Sequence, residues 1–149
     1  MKKKAYLLLS AALLAGGLIA GCGSKNVSYK DGTYTAKSSV YENEDGTDDG
    51  NGYGEVSVTI KDGKITDCSY MTYEVDGTEK GVDYGKEDGA IKNKDYYNKA
   101  QKANAARDEY AKMLVENGQL DGIDAISGAT INYNEFKEAV EAALKEAAQ

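Results

Sequence analysis

The chain has 149 residues, with 25 acidic against 18 basic side chains and a net charge of −7 at pH 7. This balance argues against nucleic acid as a partner, because binding to nucleic acid depends on basic residues that meet phosphates. The chain holds no histidine and only two cysteines, which excludes a Ser-His-Asp or Cys-His nucleophile, a His-based zinc site and an attached haem. We therefore expect any redox chemistry to come from a bound cofactor.

The first 22 residues have the pattern of a bacterial lipoprotein signal peptide. Lysines at positions 2–4 precede an apolar run, residues 5–20, which is shorter than the roughly 20 residues that span a bilayer. A short transmembrane anchor is the alternative that this length disfavours. The run ends in residues 18–22, LIAGC, which resemble the lipobox at which a signal peptidase cuts. The resemblance implies removal of residues 1–21 and attachment of diacylglycerol, with acyl chains such as palmitate, to Cys22.

Acyl chains on Cys22 would hold the mature chain on the outer face of a membrane, since each buried CH₂ group contributes about 0.8 kcal/mol. Loss of the three leader lysines leaves 15 basic against 25 acidic residues, a net charge of −10. Residues 22–30 are predicted to form a polar tether. Residues 31–149 are predicted to form one domain, because domains run from about 50 to 250 residues.

Three segments after the tether are typical of β-strands. Residues 33–41 are rich in threonine and tyrosine, and residues 55–60 alternate valine or isoleucine with serine or threonine. Asp62 and Gly63 follow, a pair typical of the type I′ turn of a β-hairpin. The return strand is predicted from residue 64 to about residue 75. We place its side chains in two sets on opposite faces: Ile65, Met71, Tyr73 and Val75 on one, Cys68 and Tyr70 on the other.

Two segments are predicted to be loops. Residues 42–54 are acidic and rich in glycine, with almost no apolar residue. An EF-hand is excluded here, because no register gives its ligand spacing with glycine at position six and glutamate at position twelve. A weaker cation site stays open. Residues 77–93 show no periodicity and are predicted to be loop with at most one short element.

Two helices are predicted after the strands. The first begins near Asp95 and ends at Asn117 and Gly118, where glycine favours a left-handed C-terminal cap. The second begins at Asn132, three residues before Glu135, which is the spacing of a capping box. The fold class is therefore α+β, a small antiparallel sheet with both helices packed on one face. Their apolar stripes are Tyr97, Ala100, Ala103, Ala106, Tyr110, Met113 and Leu114 in the first helix, and Tyr133, Phe136, Val140, Ala143 and Leu144 in the second.

Small and hydroxyl residues converge in residues 121–130, directly before the second helix. The first N–H groups of a helix lack partners and the helix dipole adds positive potential, so this place suits an anion such as phosphate. Gly128 and Ala129 permit a large ligand to approach the backbone, and Ser127 and Thr130 offer hydroxyls. The alternative is a loop that only caps the helix.

Residues 124–130, DAISGAT, resemble the Asp-x-x-Ser/Thr-Gly-Ala-Thr flavinylation motif of FMN-binding domains. These domains occur in the flavin subunits of Rnf complexes and sodium-pumping NADH:quinone reductases, and in small Gram-positive lipoproteins. The resemblance also covers residues 31–34, 52–54 and 62–65 and the closing helix. The sequence departs from the family in an acidic insertion at residues 42–51, and in residues 131–134, INYN, where relatives often carry serine or threonine.

The resemblance implies that FMN is joined through its phosphate to Thr130, with Asp124, Ser127, Gly128 and Ala129 as the other motif residues. A flavin transferase that uses FAD and Mg²⁺ would make the bond. The implied activity is electron relay from a membrane donor to an extracellular acceptor, with no catalytic residue and no metal ligand. A covalent bond would also retain the flavin outside the cell on an acidic protein that repels free phosphate. The isoalloxazine ring needs flat apolar neighbours, and the candidates are Tyr53, Tyr84, Tyr133 and Phe136.

A non-redox surface lipoprotein, acting as a binding or adaptor module, is the alternative function. In that case Thr130 belongs only to a capping loop and carries no flavin. A hydrolase is disfavoured, because the chain has no histidine and no serine in a nucleophile context. Covalent flavin on the protein would indicate the electron relay, and its absence would favour the adaptor module.

Overall fold

The computed structural model describes residues 27–42 and 51–148. The signal peptide, Cys22 and residues 43–50 of the acidic segment lie outside this part of the chain, so the lipobox and the weak cation site stay predictions. Within the two described ranges, no three His, Cys, Asp or Glu side chains come together in a way that could hold a metal ion. No helix in these ranges is long and apolar enough to cross a membrane.

Three antiparallel strands form the sheet, in the order β1-β2-β3. They are β1 (Gly32–Lys37), β2 (Tyr53–Lys61) and β3 (Lys64–Tyr73). The predicted hairpin between β2 and β3 is confirmed. Asp62 and Gly63 have positive φ angles of 52° and 71°, as a type I′ turn requires.

Strand β1 is shorter than the sequence predicted, because it ends at Lys37 and not at residue 41. Ser38 N–H still donates to Gly54 O at 2.8 Å. In return, however, Gly54 N–H donates to the Ser38 hydroxyl at 2.9 Å and not to a main-chain carbonyl. A side-chain oxygen thus replaces the backbone acceptor, and the regular ladder stops.

The side chains of β3 do not alternate as predicted beyond Ile65. Ile60 pairs with Ile65 and Thr59 pairs with Asp67, so Thr66 is an extra residue in a β-bulge. A one-residue shift of this kind moves every later side chain to the opposite face. Our assignment of the faces was therefore wrong after the bulge: Cys68 and Tyr70 pack towards the core, Met71 and Tyr73 lie on the outer face, and Val75 lies beyond the strand.

Cys68 is a free thiol that packs against the core and is partly buried. Burial, with a smaller contribution from the negative charge of Asp67, raises the pKa of Cys68 to about 12. The thiol therefore stays protonated at neutral pH and lacks the thiolate character that redox and nucleophilic cysteines need.

The first helix, α1 (Lys94–Asn117), agrees with the prediction at both ends. The side chain of Asn93 caps its start by accepting the N–H of Tyr96 at 3.0 Å. Gly118 ends it with a φ of 71°, and the Gly118 N–H donates to Leu114 O. The left-handed glycine cap is therefore confirmed.

The second helix, α2 (Thr130–Ala147), begins two residues earlier than predicted. Asn132 lies inside its first turn and does not cap it. The Nδ2 atom of Asn132 donates to the carbonyl of Ala103 in α1 at 3.0 Å. The predicted capping box is therefore wrong, because the Asn132 side chain bonds across to the neighbouring helix and not to the amides of its own.

Both helices pack on one face of the sheet and share a single hydrophobic core with it, which confirms the α+β architecture. The inward side chains of β2 are buried in this core, as their alternation predicted. Phe136 of α2 lies at its centre with 0% of its surface exposed. The Phe136 ring centroid is 5.0 Å from that of Tyr70 and 5.5 Å from that of Tyr110, so one ring joins the sheet to both helices.

Candidate functional site

A tight turn brings the DAISGAT segment to the start of α2. Residues 126–129 form this β-turn, in which the N–H of Ala129 donates to the carbonyl of Ile126 at 2.9 Å. Gly128, its third residue, has a φ of 85°. A positive φ at this place is typical of a type II turn and strains any residue that carries a side chain. The glycine of the motif is therefore required by the backbone.

Two tyrosine hydroxyls hold this segment in place. Tyr110 OH accepts the N–H of Ile126 at 2.8 Å and donates to the carbonyl of Ala129 at 3.1 Å. Tyr133 OH donates to the carbonyl of Ile123 at 2.8 Å. Burial raises the pKa of Tyr110, so its phenol stays protonated and able to donate. The helical periodicity predicted these tyrosines as packing residues but carried no signal of their bonds to the loop.

The N-terminus of α2 has no side-chain cap. Ala129 occupies the capping position and has no polar atom to offer the first amides. The first helical N–H that meets a backbone acceptor is that of Tyr133, which donates to Ala129 O at 3.0 Å. Thr130, the first residue of the helix, is exposed and does not cap it. The positive end of the helix dipole thus lies beside an accessible hydroxyl.

A cavity of about 340 Å³ opens at this helix start. Its size falls within the range of about 300 to 1,000 Å³ that is typical of ligand pockets. The motif, α1 and the loop after β3 all contribute to its wall. The lining residues are Gly128, Ala129, Thr130, Ile131 and Asn132 from the motif side, Tyr96, Lys99, Ala100, Ala103 and Asn104 from α1, and Asn51, Lys80 and Tyr84 from loops.

Of the four aromatic residues predicted to surround a flat ring, Tyr84 lines the cavity. Tyr53 lies on the outer face of the sheet, stacked on Tyr73 at 5.3 Å between centroids. Tyr133 holds the loop, and Phe136 is enclosed in the core. These three side chains make their contacts elsewhere in the fold and are not part of the cavity wall.

Tyr96, which sequence reasoning missed, supplies the second aromatic side chain of the cavity wall and is 51% exposed. Burial, together with a hydrogen bond to Tyr96, raises the pKa of Tyr84. The phenol of Tyr84 is therefore neutral at physiological pH. Tyr96 lies off the apolar stripe of α1, so periodicity could not single it out.

Lysines surround the motif although the chain as a whole is acidic. Lys80 is only 3% exposed, and its Nζ atom lies 5.1 Å from the centroid of the Tyr84 ring. Lys99 lines the cavity mouth from α1. Lys102 Nζ lies 3.5 Å from the place that a side-chain carbon on Gly128 would take. Three lysines thus lie near the motif, while the carboxylates of Glu74 and Glu135 act on Tyr84 at the same site.

The five motif residues predicted to bind the cofactor divide into two groups. Gly128, Ala129 and Thr130 line the cavity. Asp124 and Ser127 are exposed on the preceding loop and are not part of its wall. The contributions of Lys80, Lys99 and Asn104 were not predicted, because single polar residues in a loop or on a helix carry no distinguishing pattern.

The family model of the FMN-binding domain matches residues 51–145, which is more than half of the chain. The chain therefore belongs to the FMN-binding domain family, as the DAISGAT motif predicted. The matched range includes the residues that line the cavity, the motif, all of α1, and α2 except for its last two residues.

Two solved structures are similar to this chain. The crystal structure of the CPE2226 protein from Clostridium perfringens is 27% identical, with a TM-score of 0.56, and the match covers 80% of this chain and 88% of that one. A solution NMR structure of a protein from Clostridium thermocellum is 28% identical over 79% of this chain and 92% of that one, with a TM-score of 0.40. No curated protein matches the chain.

Proposed function

We propose that the domain carries FMN covalently, through a phosphoester to the Thr130 hydroxyl, and relays electrons on the outer face of a membrane. One observation carries this proposal: Thr130 lies exposed at the uncapped start of α2, inside the flavinylation motif and at the edge of the cavity. Its hydroxyl has no capping role there. Because the Thr130 side chain does not cap the helix, its hydroxyl is available for modification.

The residues around Thr130 fit a phosphate. The uncapped amides of α2 and the side chains of Lys99 and Lys102 provide positive potential at this place. Esterification also lowers the charge that must be balanced, because a phosphomonoester carries about −1.5 to −2 at pH 7 and a diester carries one negative charge. In the joining step, the Thr130 oxygen bonds to the FMN phosphorus of FAD, AMP leaves with the bridging oxygen, and the hydroxyl proton passes to solvent.

The remaining wall of the cavity fits a flat ring. Tyr84 and Tyr96 are the aromatic side chains of this wall, and aromatic faces stack favourably on planar groups. When bound, FMN supplies the reversible electron uptake that the polypeptide lacks. The partly buried, protonated thiol of Cys68 supports this division of roles, since it offers no redox chemistry of its own.

The location follows from the predicted lipobox. A lipid on Cys22 would place the domain beside membrane-bound electron donors, with an extracellular acceptor on its other side. The covalent bond would keep the flavin on the protein where free FMN is scarce, because attachment then does not depend on ligand concentration.

The direct test is the wild-type protein produced with and without a flavin transferase, FAD and Mg²⁺. We expect protein from the first preparation to stay yellow and fluorescent after denaturation and precipitation, with an intact mass raised by one FMN residue. Protein from the second should be colourless. Loss of all flavin on denaturation of the first sample would contradict covalent attachment, and absence of flavin from both native samples would favour the adaptor module.

Replacement of Cys22 by alanine is expected to abolish lipidation and to release the chain from the membrane or leave it unprocessed. The physical reason is that the thiol is the only group at this position that can carry the diacylglycerol. Membrane fractionation with a radiolabelled or clickable fatty acid measures both effects. Cys68→Ala is the matched control and should stay lipidated. A Cys22→Ala variant that keeps its lipid would show that the anchor lies elsewhere.

A further inference from the structure

We propose that Asn104 binds the isoalloxazine ring, with its side-chain carbonyl oxygen accepting the imide N–H on the pyrimidine edge of the ring. This inference rests on the proposed function, because it requires FMN in the cavity at Thr130. Asn104 belongs to α1 and lies outside the flavinylation motif. It lines the same cavity as Thr130 and Tyr84.

The side-chain amide of Asn104 is held in one orientation. Its Nδ2 atom donates to the carbonyl oxygens of Lys80 at 2.6 Å and Gly81 at 3.0 Å. An asparagine NH₂ group has two hydrogens, so these two carbonyls use both of them. The reverse orientation would put Oδ1 against two carbonyl oxygens, with no donor between them. Nδ2 therefore faces the loop after β3, and Oδ1 is the polar atom of the side chain that is left for the cavity.

The Oδ1 atom of Asn104 accepts no hydrogen bond within residues 27–42 and 51–148. The residue is nevertheless buried, with only 8% of its surface exposed. A buried amide oxygen without a donor is unfavourable, and native proteins leave few of them. An acceptor of this kind in the wall of a cavity indicates a ligand that brings a donor.

The chemistry of FMN limits which donor the ring can bring. The oxidised isoalloxazine has a single N–H group, the imide nitrogen N3, which lies between two carbonyl groups on the pyrimidine edge. The opposite, dimethylbenzene edge has no polar hydrogen. Contact with that edge would leave Asn104 Oδ1 without a partner, whereas N3–H would satisfy it. The pyrimidine edge is therefore the one that suits the Asn104 side of the cavity.

A second buried asparagine, Asn132, belongs to the other end of the cavity. It stands two residues after Thr130 in the first turn of α2, and its Nδ2 donates to Ala103 O at 3.0 Å. Asn132 is therefore next to the ester position, where the phosphate and the ribityl chain begin. Asn104 is bonded instead to the loop that carries Tyr84, an aromatic residue of the cavity wall. This difference assigns the ring to Asn104.

The test follows the N3–H proton by NMR in wild-type protein produced with the flavin transferase. Growth on ¹⁵N and ¹³C labels both the polypeptide and its flavin. In free FMN the N3–H proton exchanges with water, and a hydrogen bond inside the protein slows that exchange. We expect a resolved N3–H signal, and a scalar coupling across the hydrogen bond from N3 to the side-chain carbon Cγ of Asn104.

Asn104→Leu keeps the branched shape of the side chain and removes its oxygen. Exchange of N3–H should become about tenfold faster, which corresponds to about 1.4 kcal/mol and lies within the usual range for one hydrogen bond. Fluorescence and intact mass confirm that the variant carries its flavin.

Gln101→Ala is the matched control for loosening of the loop. Gln101 Nε2 donates to the same loop, to Gly81 O at 3.2 Å and Tyr84 O at 2.9 Å. Gln101 does not line the cavity, so its replacement removes loop contacts and leaves the Asn104 oxygen in place. Exchange of N3–H in Gln101→Ala should stay close to the wild-type rate.

The coupling from N3 to Asn104, together with faster exchange in Asn104→Leu alone, supports the inference. Wild-type exchange as fast as that of free FMN overturns it, and so does a coupling from N3 to Asn132. Equal acceleration in Asn104→Leu and Gln101→Ala also overturns it, because the effect would then belong to the loop. If Asn104→Leu does not fold, the wild-type coupling decides. Wild-type protein without covalent flavin contradicts the proposed function instead.

Discussion

Thr130→Ala, produced with the flavin transferase, is expected to fold normally and to carry no covalent flavin. The alanine removes the only atom through which the ester can form. Stability should change little, because Thr130 is exposed, makes no capping bond and stands at the first position of α2, where alanine is a good helix former. Fluorescence of the denatured protein on a gel and its intact mass measure attachment, and thermal unfolding measures stability.

Two further variants separate attachment from loop structure. Thr130→Ser keeps a hydroxyl on the same turn and should give reduced but detectable attachment. Ser127→Ala removes an exposed hydroxyl that does not line the cavity, so it should keep at least part of its flavin. Covalent flavin at the wild-type level on Thr130→Ala would overturn the assignment and return the segment to a simple turn before a helix.

Phe136→Ala is expected to destabilise the domain by about 3 to 5 kcal/mol, the usual cost of removing a buried phenylalanine ring. Phe136 is fully buried and packs on Tyr70 from the sheet and on Tyr110 from α1. Its loss would leave a cavity where the three elements meet. Thermal unfolding should show a melting temperature lower by roughly 10 to 20 °C for a domain of this size.

The matched control is Lys137→Ala, the next residue of the same helix. Lys137 is exposed, and its only ion pair, among the residues that the structure describes, is with Glu141 at 3.9 Å on the surface. The change in the free energy of unfolding should stay within about 0.5 kcal/mol. A melting curve of Phe136→Ala that equals that of the wild type would mean that α2 does not dock through this ring.

Predictions that depended on local chemistry agree with the structure. Asp62 and Gly63 form the hairpin because an Asp-Gly pair tolerates two positive φ angles whatever surrounds it. Gly118 ends α1 for a similar reason, since the left-handed cap depends on the absence of a side chain. The alternation of β2 was likewise readable, because one face is buried and the other is not.

Two predictions failed because the result depended on neighbours in space. The faces of β3 were reversed after Ile65 because the bulge at Thr66 exists only in the pairing with β2. The start of α2 was placed too late because Asn132, which suits a capping role by its type, donates to Ala103 of α1 instead. In both cases a partner remote in sequence overrode a sound local preference.

The candidate site likewise has one part that the sequence predicted and another that only the tertiary structure showed. The sequence by itself determined the family and pointed to Thr130 as the proposed anchor residue, because residues 124–130 are contiguous and their chemistry is local. Only the tertiary structure decided what faces that anchor: α1 contributes Tyr96 and Lys99, and the loop after β3 contributes Lys80 and Tyr84. These residues have no spacing that marks them, since they meet the motif only after both helices pack on one face of the sheet and bring the loop against the start of α2.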